Sequence, residues 1–172
     1  MEEEWGGAGL TNRVMRLQYR FFDKVRDRRA LAVARQPGTA PDFSALRRGR
    51  HCLLVTFKRS GEPVPTPVWF GLADDKVYFR SEAEVAKVKR LRNDPHVRVG
   101  PCNARGTPRG PMAEGTARLL PLEENERAEA AIQANFGVGR RVYERTGDRL
   151  GLPVVYVEIA PAGRAEPQGG SQ

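Results

Sequence analysis

A short stretch near the middle of the chain carries a hydroxyl, a carboxylate and two cations at helical spacing. Ser81 and Glu84 fit the capping box, in which the serine oxygen accepts a backbone N–H and the glutamate reaches back to the cap. The free N–H groups and positive dipole end of such a helix start attract anions. Lys87 and Arg90 follow three residues apart, so they share one helix face. The pattern predicts an anion site, although from these residues alone a capped helix with a solvated basic face is the simpler interpretation.

The elements around this stretch are a strand that runs directly into a helix. Val77 to Arg80 predict the strand, and the helix that starts at Ser81 ends near Arg92 because Pro95 follows closely. The helix also carries an apolar stripe, formed by Val85, Val88 and Leu91. We therefore expect one face of the helix to pack on the domain while the basic face stays accessible.

A β-hairpin precedes this unit. Residues 51–58 predict its first strand, 59–62 its turn and 63–70 its second strand. Alternate positions of the second strand are prolines, namely Pro63, Pro65 and Pro67. They remove every N–H group from one edge of that strand, so a regular neighbour cannot pair there. Either the edge is open and protected from aggregation, or a ligand lies along it in contact with Thr66; both explanations fit.

The remaining pattern predicts more strands than helices. Strands are predicted at His96–Cys102, Gly110–Leu120 and Val154–Ile159, and helices at Leu122–Phe136 and Arg140–Arg145. Most connections are too short for parallel crossovers. The predicted fold is therefore mainly β with helices: a split β-barrel of about six antiparallel strands with helices at its openings.

The chain divides into three sections. Residues 1–44 are predicted to form an N-terminal extension with an amphipathic basic helix, from Leu10 to about Ala34, followed by a linker at Gln36–Pro41. Residues 45–162 form the barrel and 163–172 a loose tail. Such a helix can lie on an anionic membrane, on a partner subunit or on its own domain. The sequence predicts that the barrel folds without residues 1–40.

Composition describes one soluble domain with an anionic partner. The chain has 172 residues, of which 40% are hydrophobic and 29% charged, and no apolar run approaches the ~20 residues of a membrane span. Its acidic start is unlike a secretory signal, so we expect a cytoplasmic protein. A net charge of +8 favours a nucleotide-like cofactor, nucleic acid or acidic lipid. The basic residues are not interleaved with aromatics, which argues against nucleic acid.

Cysteine and histidine offer no metal site or nucleophile. Cys52 and Cys102 are far apart, and with only His51 and His96 to add, no metal-ligand spacing appears. His51 and Cys52 are neighbours on a strand and point to opposite faces, so they make a poor catalytic pair. We expect both cysteines to pack in or near the core.

The order of the motifs resembles a known family. The segments that carry the resemblance are Leu54–Lys58, Gly61–Trp69, Lys87–Pro95, Val99–Gly106 and Gly110–Pro111. Together they resemble the pyridoxamine 5'-phosphate oxidase-like proteins of the FMN-binding split barrel superfamily, and most of all the PPOX-class oxidoreductases that use the deazaflavin coenzyme F420. The resemblance extends over roughly residues 45–160.

The resemblance implies a homodimer that binds F420, or alternatively FMN, in grooves at the subunit interface. The cofactor ring would be lined by Thr66, Pro67, Val68 and Trp69. The phosphate would be surrounded by Arg80, Ser81, Lys87 and Arg90. The implied activity is hydride transfer between reduced deazaflavin and an unsaturated small molecule; the cofactor supplies the chemistry, so no catalytic side chain is assigned. The alternative is a non-catalytic carrier or sensor that holds flavin or haem.

Overall fold

The computed structural model describes residues 28–136 and 153–163, and seven strands form one sheet in this part of the chain. The strands are β1 (His51–Phe57), β2 (Pro63–Trp69), β3 (Gly71–Ala73), β4 (Lys76–Glu82), β5 (His96–Cys102), β6 (Ala113–Leu119) and β7 (Val154–Pro161). Their spatial order is β2-β1-β5-β6-β7-β4-β3, and every neighbouring pair is antiparallel. Predictions for residues 10–27, 140–145 and 164–172 lie outside the described residues.

The sheet curls because one continuous segment forms both of its edges. β2 and β3 are separated only by Phe70, yet they lie at opposite ends of the strand order. The chain therefore passes directly from one edge to the other, and the sheet bends into the predicted split barrel. The fold class is confirmed, with seven strands in place of about six because the three-residue β3 was not predicted.

Strand alternation separates an inner from an outer face of the sheet. The interior is filled by buried apolar side chains, among them Leu54, Phe79, Val97 and Val157, and the half-buried Leu72 of β3 packs against them. The helix between β4 and β5, α2 (Ala86–Asn93), adds Leu91 to this core. β5 and β7, both predicted from the sequence, each contribute two buried residues to this core.

A second helix, α3 (Asn125–Phe136), packs on the outer face of β3 and β4. Ala128, Ala131 and Ile132 contact the buried ring of Tyr78 there. A short 3₁₀ turn at Leu122–Glu124 leads into α3, and another 3₁₀ turn lies at Ser44–Leu46. The helix approaches the sheet closely, because a Cβ atom on Gly71 would overlap the backbone of Ala131.

The segment before the barrel is attached to it by hydrogen bonds. The short helix α1 (Arg28–Ala34) buries Ala30 and Ala34 against the outer face, where Leu53, Val55, Phe57, Cys102 and Met112 form a second apolar cluster. The amides of Thr39 and Ala40 donate to the carbonyl of Met112 at 2.8 and 2.9 Å. Residues 36–41, predicted as a linker, are thus partly tied to the start of β6.

One carboxylate fixes this segment. Glu114 accepts hydrogen bonds from the amide of Gly38 at 2.5 Å and from Arg98 Nε at 2.8 Å, and it contacts His96 Nε2 at 2.6 Å. Burial alone would raise the pKa of Glu114, but these hydrogen bonds hold the pKa below its ordinary value. Arg98 also donates to the carbonyl of Ala34 at 2.9 Å, so the same ion pair holds α1.

Candidate functional site

The junction of β4 and α2 differs from the prediction. β4 continues through Glu82, Ser81 pairs with Val155 of β7, and α2 begins only at Ala86. Its N-cap is Val85, which makes no side-chain cap, while Glu84 is exposed and pairs with Lys89 at 3.2 Å. The predicted capping box is therefore wrong. Long-range pairing with β7 extends the strand past the local capping signal, a case of tertiary context overriding propensity.

Ser81 nevertheless remains the most informative polar residue at this junction. The residue lies on the inner face with 7% of its surface exposed, and Oγ has no hydrogen-bond partner among the described residues. A buried hydroxyl without a partner destabilises the fold by about 1–3 kcal/mol. Such a group is accounted for if a ligand supplies the partner.

Because Ser81 does not cap α2, replacing it should change cofactor binding without lowering the stability of the ligand-free protein. We expect Ser81→Ala to leave the melting temperature of the ligand-free protein unchanged or slightly higher, since the variant removes an unpartnered buried hydroxyl. We expect the same variant to bind an anionic cofactor more weakly. Differential scanning fluorimetry with and without cofactor measures both effects. A loss of about 1 kcal/mol of stability without ligand would instead indicate that Ser81 caps the helix.

α2 brings two cations together. Lys87 is half-buried; burial lowers its pKa, the Glu82 carboxylate partly opposes this, and the Arg90 charge lowers the pKa further. Arg90 Nε donates to Oγ1 of the fully buried Thr56 at 2.7 Å, which fixes its side chain against β1. Two adjacent cations near the end of β4 are an electrostatic environment that favours an anion.

The predicted phosphate set is divided between two faces. Ser81 follows Phe79 onto the inner face, whereas Arg80 lies on the opposite face of β4, with Tyr78. The structure thus places Lys87 and Arg90 close together and separates Arg80 from Ser81. The assignment of all four residues to one phosphate stays a prediction, in which Arg80 and Ser81 would reach the phosphate from opposite faces of β4.

The predicted ring-lining residues are also divided between faces. Val68 is buried in the inner core, and Thr66 lies on the same face, opposite Leu54. Pro67 lies on the other face opposite Leu53, and Trp69 follows it there. β2 is an edge strand of the described sheet, so a ligand lying along that edge borders both rows of side chains. Its position at the edge fits the alternating prolines.

Sequence reasoning did not assign the partner of Trp69. The indole Nε1 of Trp69 donates to His51 Nε2. On the other side, the centroid of the Phe136 ring, which belongs to α3, lies 5.1 Å from that of the indole. The predicted turn at 59–62 would place residue 51 opposite residue 70. In the structure Phe57 faces Pro63, so the register is shifted by one residue and His51 faces Trp69.

A basic depression of about 280 Å³ adjoins Arg90. Its walls come from the end of β1, the following hairpin and α2, and they consist of Phe57, Arg59, Lys89, Arg90 and Asn93. Arg59 Nε donates to Asn93 Oδ1 at 3.2 Å, which connects the hairpin to the helix. Three cations line this surface, of which Lys89 is paired with Glu84 at 3.2 Å, so Arg59 and Arg90 give it most of its attraction for an anion. No sequence pattern indicates this depression, because Arg59 is distant from α2 along the chain.

The sequence model of the pyridoxamine 5'-phosphate oxidase family matches residues 42–159. The chain belongs to this family. Its fold is that of the FMN-binding split barrel superfamily. None of the curated proteins compared with the chain matches it significantly.

Solved structures resemble this pyridoxamine 5'-phosphate oxidase family member in fold alone. A conserved hypothetical protein from Mycobacterium tuberculosis is 19% identical, with 79% of this chain and 98% of that chain covered and a TM-score of 0.53. A protein of unknown function from Agrobacterium tumefaciens is 19% identical, with 81% and 58% covered and a TM-score of 0.52. The haem storage protein HutZ from Vibrio cholerae is 13% identical, with 68% and 84% covered and a TM-score of 0.51.

The described residues fit the phosphate-bearing, flavin-type cofactors of this family. The unpartnered Ser81 hydroxyl and the cations Lys87 and Arg90 suit a phosphate group. Histidine is one of the residues that ligate haem iron; in the described residues, His51 Nε2 accepts from Trp69 and His96 Nε2 contacts Glu114.

The two cysteine thiols and the Glu158 carboxylate are accounted for by their surroundings in the fold. Cys52 and Cys102 are buried as predicted, and burial raises both thiol pKa values, that of Cys102 to about 12. Burial alone would raise the pKa of Glu158, but hydrogen bonds from Arg118, Tyr78 and Lys76 hold it below its ordinary value. Among residues 28–136 and 153–163, no cluster of three or more His, Cys, Asp or Glu side chains forms a metal site. No helix within those ranges has the length and apolar character that crossing a bilayer requires.

Proposed function

We propose that this protein is an F420-dependent oxidoreductase, active as a homodimer, that transfers a hydride between reduced deazaflavin and an unsaturated small molecule. The observation that carries the proposal is the unpartnered, buried Ser81 hydroxyl on the strand that leads into Lys87 and Arg90. This arrangement supports a phosphate-bearing cofactor. Membership of the family supports a cofactor of flavin type.

The length of β1 supports an extended cofactor. Thr56, which anchors Arg90, and His51, which contacts Trp69, are five residues apart, or ~16 Å along a strand. A ring near Trp69 and a phosphate near Arg90 would therefore lie at opposite ends of the β1–β2 hairpin. The cofactor supplies the hydride chemistry when bound, and the protein's residues orient it and exclude water.

The basic depression supports F420 over FMN. F420 ends in an oligoglutamate tail, which adds carboxylates that FMN lacks. Arg59 extends the positive surface beyond Arg90, Lys89 adds less to it because it pairs with Glu84, and the whole chain carries a net charge of +8. Each exposed contact would contribute about 0.3–1 kcal/mol, and less at high ionic strength.

Titration of the purified protein with F420, FMN and haem tests the proposal. We expect F420 to bind most tightly, with an affinity that falls as salt is added, and reduced F420 to support turnover of an unsaturated acceptor. FMN binding that equals or exceeds F420 binding at moderate ionic strength would contradict the cofactor assignment. Tight binding without turnover for any acceptor would favour a carrier or sensor.

Lys87→Ala is expected to lower cofactor affinity by about 10- to 150-fold, because it removes a charge-assisted contact worth about 1.5–3 kcal/mol. The melting temperature without ligand should change little, since Lys87 makes no buried structural hydrogen bond in the described residues. Isothermal titration calorimetry measures the affinity. Arg92→Ala is the matched control, because Arg92 is an exposed cation on the same helix with a weak contact to Glu84 at 3.8 Å.

The alanine substitution is not a clean test for Arg90. Alanine at position 90 would leave the hydroxyl of the buried Thr56 without its donor, so the variant would lose stability as well as affinity.

One outcome would contradict the Lys87 prediction. If the Lys87→Ala and Arg92→Ala proteins bind the cofactor equally well, α2 is not part of the cofactor site.

A further inference from the structure

His51 and Trp69 form an ordered pair at one end of the β1–β2 hairpin. They are direct partners in the strand register, and the indole Nε1 of Trp69 donates to His51 Nε2. The two rings meet edge to face, with centroids 6.0 Å apart and planes at 70°. The acceptor role requires that His51 carry its proton on Nδ1 and remain neutral. Burial lowers the pKa of His51, which favours this neutral form.

The end of α3 fixes the backbone on both sides of this pair. Asn135 Nδ2 donates to the carbonyls of Gly49, two residues before His51, and of Phe70, directly after Trp69, at 3.0 and 2.9 Å. The Phe136 ring packs on the indole with an interplanar angle of 34°. The backbone positions are thus set by α3, while the rotation of the indole depends on Phe136 and on the hydrogen bond to His51.

We propose that His51 is a positioning residue of the cofactor site, which orients the Trp69 indole at the end of the proline-bearing edge. This inference rests on the proposed function, in which Trp69 borders the planar ring of a flavin-type cofactor. The hydrogen bond leaves the indole one preferred rotamer, so the ring of the ligand meets a preformed surface and loses less freedom on binding. His51 itself has no step in the chemistry.

The first measurement needs no cofactor. Trp5→Phe provides a parent in which Trp69 is the only tryptophan. In that parent we expect His51→Leu, which cannot accept a hydrogen bond, to weaken the near-UV circular dichroism band of Trp69. His51→Gln places an amide oxygen near the position of Nε2 and should restore the band. Far-UV circular dichroism and melting temperature establish that each variant is folded.

The second measurement is cofactor affinity in the same series. We expect His51→Leu to weaken binding of F420, or of FMN if that cofactor binds more tightly, by about 5- to 10-fold, as for the loss of one neutral hydrogen bond. His51→Gln should lie within about twofold of the parent. Trp69→Phe removes the donor, so it should show a similar loss, and the double variant should show little further loss because both changes break one interaction.

The outcomes separate the two proposals. A parent that binds neither F420 nor FMN would overturn the proposed function and, with it, the role of His51 in that site. A parent that binds one of them while His51→Leu binds it equally well would overturn only the positioning role. Additive losses in the double variant would also overturn it, because His51 would then act independently of Trp69.

Discussion

Replacing Gly71 with alanine is expected to destabilise the protein by about 3 kcal/mol, at the upper end of the usual range for overpacking. A methyl group at this position would overlap the carbonyl group of Ala131 and the amide nitrogen of Ile132. These are backbone atoms of α3, so no side chain can rotate away, and the whole helix must move from β3. A shift of α3 would also strain the Asn135 hydrogen bonds.

Thermal unfolding measures this effect, which should appear as a fall in melting temperature of about 6–12 °C for a protein of this size. Gly163→Ala is the matched control, because nothing lies within 4 Å of a Cβ atom placed there; we expect a change within about 0.5 kcal/mol. Equal melting temperatures for the two variants would mean that α3 does not pack on β3 as described.

Deletion of residues 1–40 is expected to destabilise the barrel by about 2–4 kcal/mol, through lost hydrogen bonds and lost apolar burial. The sequence alone predicts that this segment is dispensable, but the contacts of residues 28–40 now predict the opposite. Without α1, apolar side chains of the second cluster, such as Leu53 and Val55, lose their cover. Glu114 and the carbonyl of Met112 lose the amides of residues 38–40.

Deletion of residues 1–27 is the control, because it keeps every contact described for α1 and the following segment. We expect this shorter deletion to melt close to the full-length protein. The longer deletion should melt lower and bind the dye ANS, which reports exposed apolar surface. If both truncated proteins melt alike and neither binds the dye, the cover over the second cluster contributes nothing measurable.

The sequence predicted the elements whose signals are local. The hairpin follows from its turn, whose Gly61 adopts a φ of 80°, and β5 and β7 follow from alternating apolar residues. β3 was missed because a three-residue strand directly after Phe70 has too few positions for a period and no turn to separate it from β2. The start of α2 was misplaced because pairing between β4 and β7 joins residues more than seventy positions apart, which no local pattern records.

The candidate site was predictable only in part. Lys87 and Arg90 follow from helical spacing, and the structure keeps them together on α2. Thr56 and His51 were not predicted as their supports, because each stands inside an apolar strand where only the register shows its neighbour. The depression beside Arg90 needs the hairpin to fold back on α2, so it requires tertiary structure.

The last strand among the described residues has a consequence for how the protein is made. β7 lies between β6 and β4 and pairs with both, although it is the last element in the described sequence. Until residues 154–161 have left the ribosome, strands β2-β1-β5-β6 and strands β4-β3 are two separate ladders with unpaired inner edges. Such edges pair readily with other chains. A nascent chain that stalls before Val154 therefore exposes two unpaired sheet edges that are prone to aggregation. Synthesis of β7 is the step that joins the two ladders into one sheet.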